Sequence, residues 1–120
     1  MKMVVFGSLN IDKVYSLDEF VRPGQTVSAE KMEQFCGGKG FNQAIALRRA
    51  GNAVSFAGAV GQDGGMLLKT LDENGIDRAH VKVTDGATGH AIIQVATCRG
   101  PAPTDPGYSK ERWPRRLFIC

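Results

Sequence analysis

Proline is nearly missing from most of this 120-residue chain: of its five prolines, only Pro23 precedes residue 95. Cysteine is scarce too. Cys36, Cys98 and Cys120 form an odd set whose spacings match neither a zinc site nor a CxxC motif. That argues against a disulfide framework or a cysteine metal centre, and free thiols in a reducing compartment are expected. Long hydrophobic runs are absent as well. The longest uncharged apolar run, Ala53 to Gly61, falls far short of the ~20 residues a membrane span needs. The opening Met1-Lys2-Met3-Val4-Val5-Phe6-Gly7 is too briefly apolar for a signal peptide and has no small-residue cleavage site. The expectation is a cytoplasmic protein with no membrane partner, the nucleus remaining open for a eukaryotic one.

An excess of either charge is also missing over most of the length. Residues 1–95 carry ten Lys/Arg against ten Asp/Glu. The net +3 therefore belongs to residues 96–120, where Arg99, Lys110, Arg112, Arg115 and Arg116 face only Asp105 and Glu111. Beyond Tyr108, Trp113 and Phe118 no aromatics are interleaved with them, so no nucleic-acid partner is expected. Four of the five prolines lie in the same stretch, and thirteen of the fifteen glycines lie before it. Two segments follow: 1–95, which alternates apolar runs with turn residues, and 96–120, an irregular Pro/Arg-rich tail.

What is present in 1–95 is an alternation of strands and helices. Met3-Val4-Val5-Phe6 reads as a buried strand ended by Gly7, and Val14 to Leu17 as a second. Thr26 to Gln34 reads as a half-exposed extended stretch after the Pro23-Gly24 turn. From Phe41, the spacing of Phe41, Ala44, Ile45 and Arg48 predicts a helix that Gly51 stops. Ala53 to Val60 has the all-round apolar character of a central parallel strand. Asp63 is placed to cap a helix with Leu67, Leu68 and Leu71 inward, ended by Asn74-Gly75. Val81 to Val83 and Ala91 to Val95 complete the set, split by Asp85-Gly86. Strands alternating with helices of about ten residues predict an α/β sheet with right-handed crossovers.

Two segments carry more chemistry than a fold requires. Gly7-Ser8-Leu9-Asn10-Ile11-Asp12 leaves the carboxyl end of the first strand, where open α/β sheets bind ligands. If it stays extended, Asn10 and Asp12 point the same way. An amide beside a carboxylate suits the vicinal hydroxyls of a sugar, because the carboxylate accepts while the amide both donates and accepts. Cys36-Gly37-Gly38-Lys39-Gly40-Phe41-Asn42-Gln43 runs straight into a helix, whose first N–H groups are donors without helical partners. It is neither GxGxxG nor a Walker A loop, since Gly40 stands where Ser/Thr would hold magnesium. Taken singly, each has a plain structural explanation: an Asx turn for the first, a glycine turn before a helix for the second. Together they describe one small polyol pocket.

GSxNxD at 7–12, PGxTV at 23–27, GGKGxNQA at 37–44 and TGxA at 88–91 resemble the ribokinase family of sugar kinases. So does the stretch 60–77, with Val60-Gly61, Asp63 and Gly75-Ile76-Asp77. The resemblance spans about residues 3–95. It implies the N-terminal part of a ribokinase-like parallel sheet, with helices on its faces and a small β lid from strands near 14–17, 27–34 and 90–95. It assigns Asn10, Asp12, Gly37, Gly38, Lys39, Gly40 and Asn42 to the sugar pocket, with Lys39 and Asn42 as side-chain donors. The lysine favours ribose or deoxyribose. The family's reaction is ATP-dependent phosphorylation of the 5-hydroxyl of ribose, with magnesium and a monovalent cation, and its lid often pairs two subunits into a homodimer. Three departures stand out. Phe41 occupies a position where a small residue is usual and threatens to crowd the helix start. Gly64 replaces a bulky residue, which should loosen packing. His90 lies in the lid segment, where it reads as a solvated strand residue.

Phosphoryl transfer also needs a base for the attacking hydroxyl and donors or metal for the moving phosphoryl group. The family takes both from a Gly-Ala-Gly-Asp motif and an ATP site in its C-terminal half. Residues 96–120 contain no such motif; Asp105 lacks the preceding glycines. The expectation is a sugar pocket without catalytic residues, which neither phosphorylates sugar nor binds ATP, magnesium or the monovalent cation. One choice of codons for Thr104 to Ser109, read one base later, encodes the apolar strand the family expects there, which points to a frame change or alternative exon near residue 95. Such a segment should leave a sheet edge and a helix face uncovered and be marginally stable.

Overall fold

The computed structural model describes residues 2–96, and every expectation placed on 97–120 lies outside the described residues. The element order is β1 (Lys2–Phe6), β2 (Asn10–Leu17), β3 (Lys31–Gly37), α1 (Lys39–Arg49), β4 (Ala53–Val60), α2 (Gly65–Glu73), β5 (Asp77–Val83) and β6 (Gly89–Ala96). Two sheets result, one ordered β1-β4-β5 and the other β3-β2-β6. This is the α/β class expected.

The chain divides into two units. The first holds residues up to Asp12 together with Phe35–Ala91, and so all of β1, α1, β4, α2 and β5. Its sheet is parallel throughout. Val5 pairs with Phe56 in the β1–β4 register, and Val60 pairs with Val83 between β4 and β5, with a shift between Ser55 and Ala57. Phe56, Ala44, Leu67 and Leu71 are fully buried and join Val5, Val54, Val60 and Phe41 in one cluster under the helices. Burying a Leu or Phe side chain is worth roughly 1.5–3 kcal/mol, so this layer holds the unit together.

Both helices end as the sequence indicates. Gly51 (φ 94) donates to Arg48 and Asn52 to Leu47, while Gly75 (φ 68) donates to Asp72 and Ile76 to Leu71. Each pair of bonds is a Schellman closure, which satisfies carbonyls the helix leaves open. Arg48 and Arg49 lie in the last turn of α1, where positive charge suits the helix dipole.

The second unit comprises, among the described residues, Lys13–Gln34 and 92–96. Within it Glu30 N–H donates to Ser16 O at 2.9 Å, and Val21 N–H donates to Gln94 Oε1 at 3.1 Å. Leu17 and Ala96 are buried.

Several boundaries and roles differ from expectation. β2 begins at Asn10, four residues before Val14, because Ile11 is buried and fixes the alternation from there. Thr26 to Ser28 form no strand; pairing begins only at Lys31. α1 starts at Lys39 rather than Phe41. Asp63 does not cap α2. Gly64 occupies the cap without a side-chain bond, and Asp63 Oδ1 accepts the N–H of Thr88 at 2.7 Å. Gly64 is not loosely packed either: a methyl group there would lie 2.6 Å from Val60 Cβ.

Candidate functional site

The site lies where β1 ends. Gly7 N–H still bonds Ala57 O on β4 at 3.2 Å, after which the chain leaves the sheet. Leu9 and Ile11, each 3% exposed, are anchored in the core. Alternation then places the half-buried Asn10 and Asp12 together on the opposite face of β2.

The glycine segment packs directly on this pair. A methyl group at Gly37 would sit 2.6 Å from the Asp12 carboxylate carbon, and one at Gly38 would sit 2.5 Å from Ser8 O and 3.2 Å from Asn10 N. Gly38 has φ 104, a backbone shape that L side chains rarely adopt, so bulk and conformation both demand glycine here. Gly40 and Gly7 approach each other in the same way: a methyl at Gly40 would be 2.8 Å from Gly7 Cα. Phe41 N–H donates to Ser8 O at 3.2 Å, tying the helix start to the strand exit. The Phe41 ring does not crowd this start. It turns into the core, where it is 4% exposed.

The structure thus brings Asn10, Asp12, Gly37, Gly38 and Gly40 together. Lys39 and Asn42 stand exposed on the first turn of α1, with no acidic residue in that turn. The first turn thus brings no acidic side chain of its own to the positive end of the helix dipole. An open cleft of about 590 Å³ lies at the carboxyl end of β1, bounded by Phe6, Ser8, Asn10, Ala57, His80 and Lys82 among others. It takes in Asn10 but none of the residues from Gly37 to Asn42.

Sequence reasoning passed over Ser8, whose carbonyl is the hinge of the arrangement, and Gly89, where a methyl would meet Asn10 Oδ1 at 2.7 Å. A backbone acceptor leaves no signature in a sequence. Gly89 did have one, the TGxA string. The other half of that string serves structure: buried Thr88 Oγ1 accepts Gly61 N–H at 2.9 Å, so the segments at 60–64 and 88–91 hold each other. His90 is an exposed strand residue.

Comparison with known proteins decides the family. The model of the pfkB family carbohydrate kinases matches residues 1–101. The chain belongs to the pfkB family. Among its pfkB relatives, the ribokinase of Haemophilus influenzae is 39% identical over 97 residues, covering 78% of this chain and 32% of that protein. The crystal structure of Cryptococcus neoformans ribokinase in complex with ADP superposes with a TM-score of 0.73 at 42% identity, over 79% of this chain and 30% of that one. The Arabidopsis thaliana ribokinase structure, complexed with ribose and ATP, gives 0.67 at 32% identity, over 78% and 31%. The chain therefore spans about a third of the length of the curated relatives it matches.

Among the described residues, no three His, Cys, Asp or Glu side chains gather to hold a metal ion. Likewise no helix among them is long and apolar enough to cross a membrane.

Proposed function

We propose that this chain carries the sugar-binding part of a ribokinase and takes a pentose, ribose or deoxyribose, at Asn10, Asp12, Gly37, Gly38, Lys39, Gly40 and Asn42. The observation that supports the reading most is the packing of two side-chain-free residues, Gly37 and Gly38, against Asp12 and Asn10 at the start of a helix. A carboxylate that only accepts and an amide that does both can take adjacent sugar hydroxyls, while Lys39, Asn42 and the helix start supply donors. The whole relatives' activity, phosphorylation of the 5-hydroxyl of ribose by ATP with magnesium and a monovalent cation, requires a base and a phosphate site. In this reading neither lies in residues 1–95, and the 96–120 tail does not replace them. The segment binds sugar in the cytoplasm without turnover.

A second reading is pairing with an intact subunit through the lid strands, as a non-catalytic product. It is favoured by the exposed Met32 and Phe35 on β3 and Ile92 on β6, the two outer strands of their sheet.

The test is thermal unfolding of the 120-residue chain with and without ribose, beside an Asp12→Ala variant. Ligand at 100 times its Kd stabilises by about 2.7 kcal/mol, a readily measured rise in Tm. Protection by ribose that the variant loses is expected, with no ADP released from ATP. Equal melting curves with and without either pentose would sink the sugar-site reading, and ADP release abolished in the variant would sink the claim of no turnover.

A further inference from the structure

Asn10 is the candidate sugar contact with the least to hold it. Its backbone lies in β2, but among the described residues its carboxamide has no hydrogen-bond partner. The last torsion of an asparagine side chain is broad, so a carboxamide without partners swings unless something packs against it. Gly89 does so. A methyl there would lie 2.7 Å from Asn10 Oδ1 and 3.6 Å from its Cγ, which puts the bare backbone of Gly89 against the amide. Both residues also border the cleft at the carboxyl end of β1.

Gly89 is placed in turn by the residue before it. Thr88 is buried and makes two bonds to the turn between β4 and α2. Its Oγ1 accepts Gly61 N–H at 2.9 Å, and its N–H donates to Asp63 Oδ1 at 2.7 Å. The carboxylate makes the second bond charge-assisted, and so stronger than a neutral one. Gln62 N–H adds a bond to Gly86 O at 3.2 Å. The fit requires small residues: a methyl at Gly61 would lie 2.5 Å from Thr88 N, and one at Gly64 would lie 3.0 Å from Thr88 Oγ1. Core residues fix the turn at both ends, Val60 on β4 and Leu67 on α2. A rigid turn thus sets Thr88, Thr88 sets Gly89, and Gly89 bounds the swing of Asn10.

We propose that Asp63 and Thr88 are positioning residues of the sugar site. Neither touches the sugar; their bonds seat Gly89 against the Asn10 carboxamide and hold that amide in the orientation in which it meets a sugar hydroxyl. The inference rests on the sugar-site reading for its ligand, though not for its geometry.

The experiment follows three quantities in the 120-residue chain: ribose affinity by titration calorimetry, the urea midpoint, and the Asn10 side-chain NH2 signals in proton–nitrogen spectra, assigned by their loss in Asn10→Asp. Thr88→Val keeps the shape of the side chain but removes the acceptor for Gly61 N–H. Ordering a side chain on binding is costly, so releasing Asn10 should weaken ribose binding roughly threefold to tenfold, and its NH2 signals should shift. Thr88→Ser, which retains the oxygen, should restore both. Leu71→Ala opens a cavity in the core, and should lower the urea midpoint at least as far while leaving affinity and signals unchanged. Were Thr88→Val to misfold, Asp63→Ala read against Asp63→Asn, whose amide oxygen still accepts, would decide in the same way. Unmoved Asn10 signals in Thr88→Val, or an equal loss of affinity in Leu71→Ala, would overturn the proposal. A parent chain that takes up neither ribose nor deoxyribose fails the sugar-site reading and this role with it. A parent that binds ribose no more tightly than Thr88→Val overturns the positioning role alone.

Discussion

Gly38 concentrates more constraint than any other candidate residue. Its φ of 104 excludes most side chains, and the Ser8 carbonyl 2.5 Å from where a Cβ would stand removes the room for one. That same carbonyl accepts Phe41 N–H, so displacing it loosens the start of α1. Gly38→Ala should therefore cost on the order of 1–3 kcal/mol from strain alone and abolish ribose protection. Urea unfolding with and without ribose measures both, and a variant that melts and binds like the parent would refute the geometry. Much of this was legible, because adjacent glycines before a helical period announce a close backbone approach. The acceptor they approach was not, since any residue at position 8 offers a carbonyl. Asp63 misleads for a related reason. An acidic residue just before a helical period reads as a cap, but the loop at Thr88 competes for the carboxylate and wins it through a contact 25 positions away.

At the level of elements, α1, β4 and α2 were readable because each buries a defined face and ends on a glycine. β3 was not: four of its seven residues are exposed, so no alternation marks where pairing begins. β5 was read only in its last residues, since Arg78 and Ala79 fall in the register shift opposite Ser55–Ala57. The three parallel strands are cross-linked at one level. Asp77 accepts from Ala79 N–H and from Ser55 Oγ, each at 3.0 Å, with Lys2 nearby. The Ala79 and Ser55 hydrogen bonds, ahead of the Lys2 charge, hold its carboxyl below the usual aspartate range. A carboxylate with a lowered folded-state pKa stabilises the fold fully above its unfolded value of about 3.9 and loses that stabilisation as pH falls through the lowered value. The urea midpoint should thus decline on acidification from about pH 5 to pH 3, and less steeply in Asp77→Asn. Parallel slopes for the two proteins would contradict this. Asp72, likewise lowered by its hydrogen bond from Arg78, titrates in both and supplies the common background.

For the whole molecule, the parallel α/β class followed from the alternation of element types, and the family followed from five short strings. The exposure of Val4 and Phe6 on β1 was not foreseen. The sequence pointed to an uncovered helix face, yet α1 and α2 bury their apolar stripes, and the open apolar surface lies on Val4 and Phe6. Strand order also separates early from late in folding. β4, α2 and β5 are consecutive, so the Val60–Val83 pair closes a short loop. The Val5–Phe56 pair must enclose β2, β3 and α1, more than twice as much chain, at a greater entropic cost. In pulsed hydrogen exchange during refolding, amides of β4 and β5 are expected to gain protection before those of Gly7 and Phe41; the reverse order would refute this. Since Gly7 and Ser8 meet Gly38 and Gly40 only when β1 docks, a sugar bound among them selects the last assembly step. Ligand would slow the release of β1 while leaving the parallel β4–α2–β5 nucleus as labile as before.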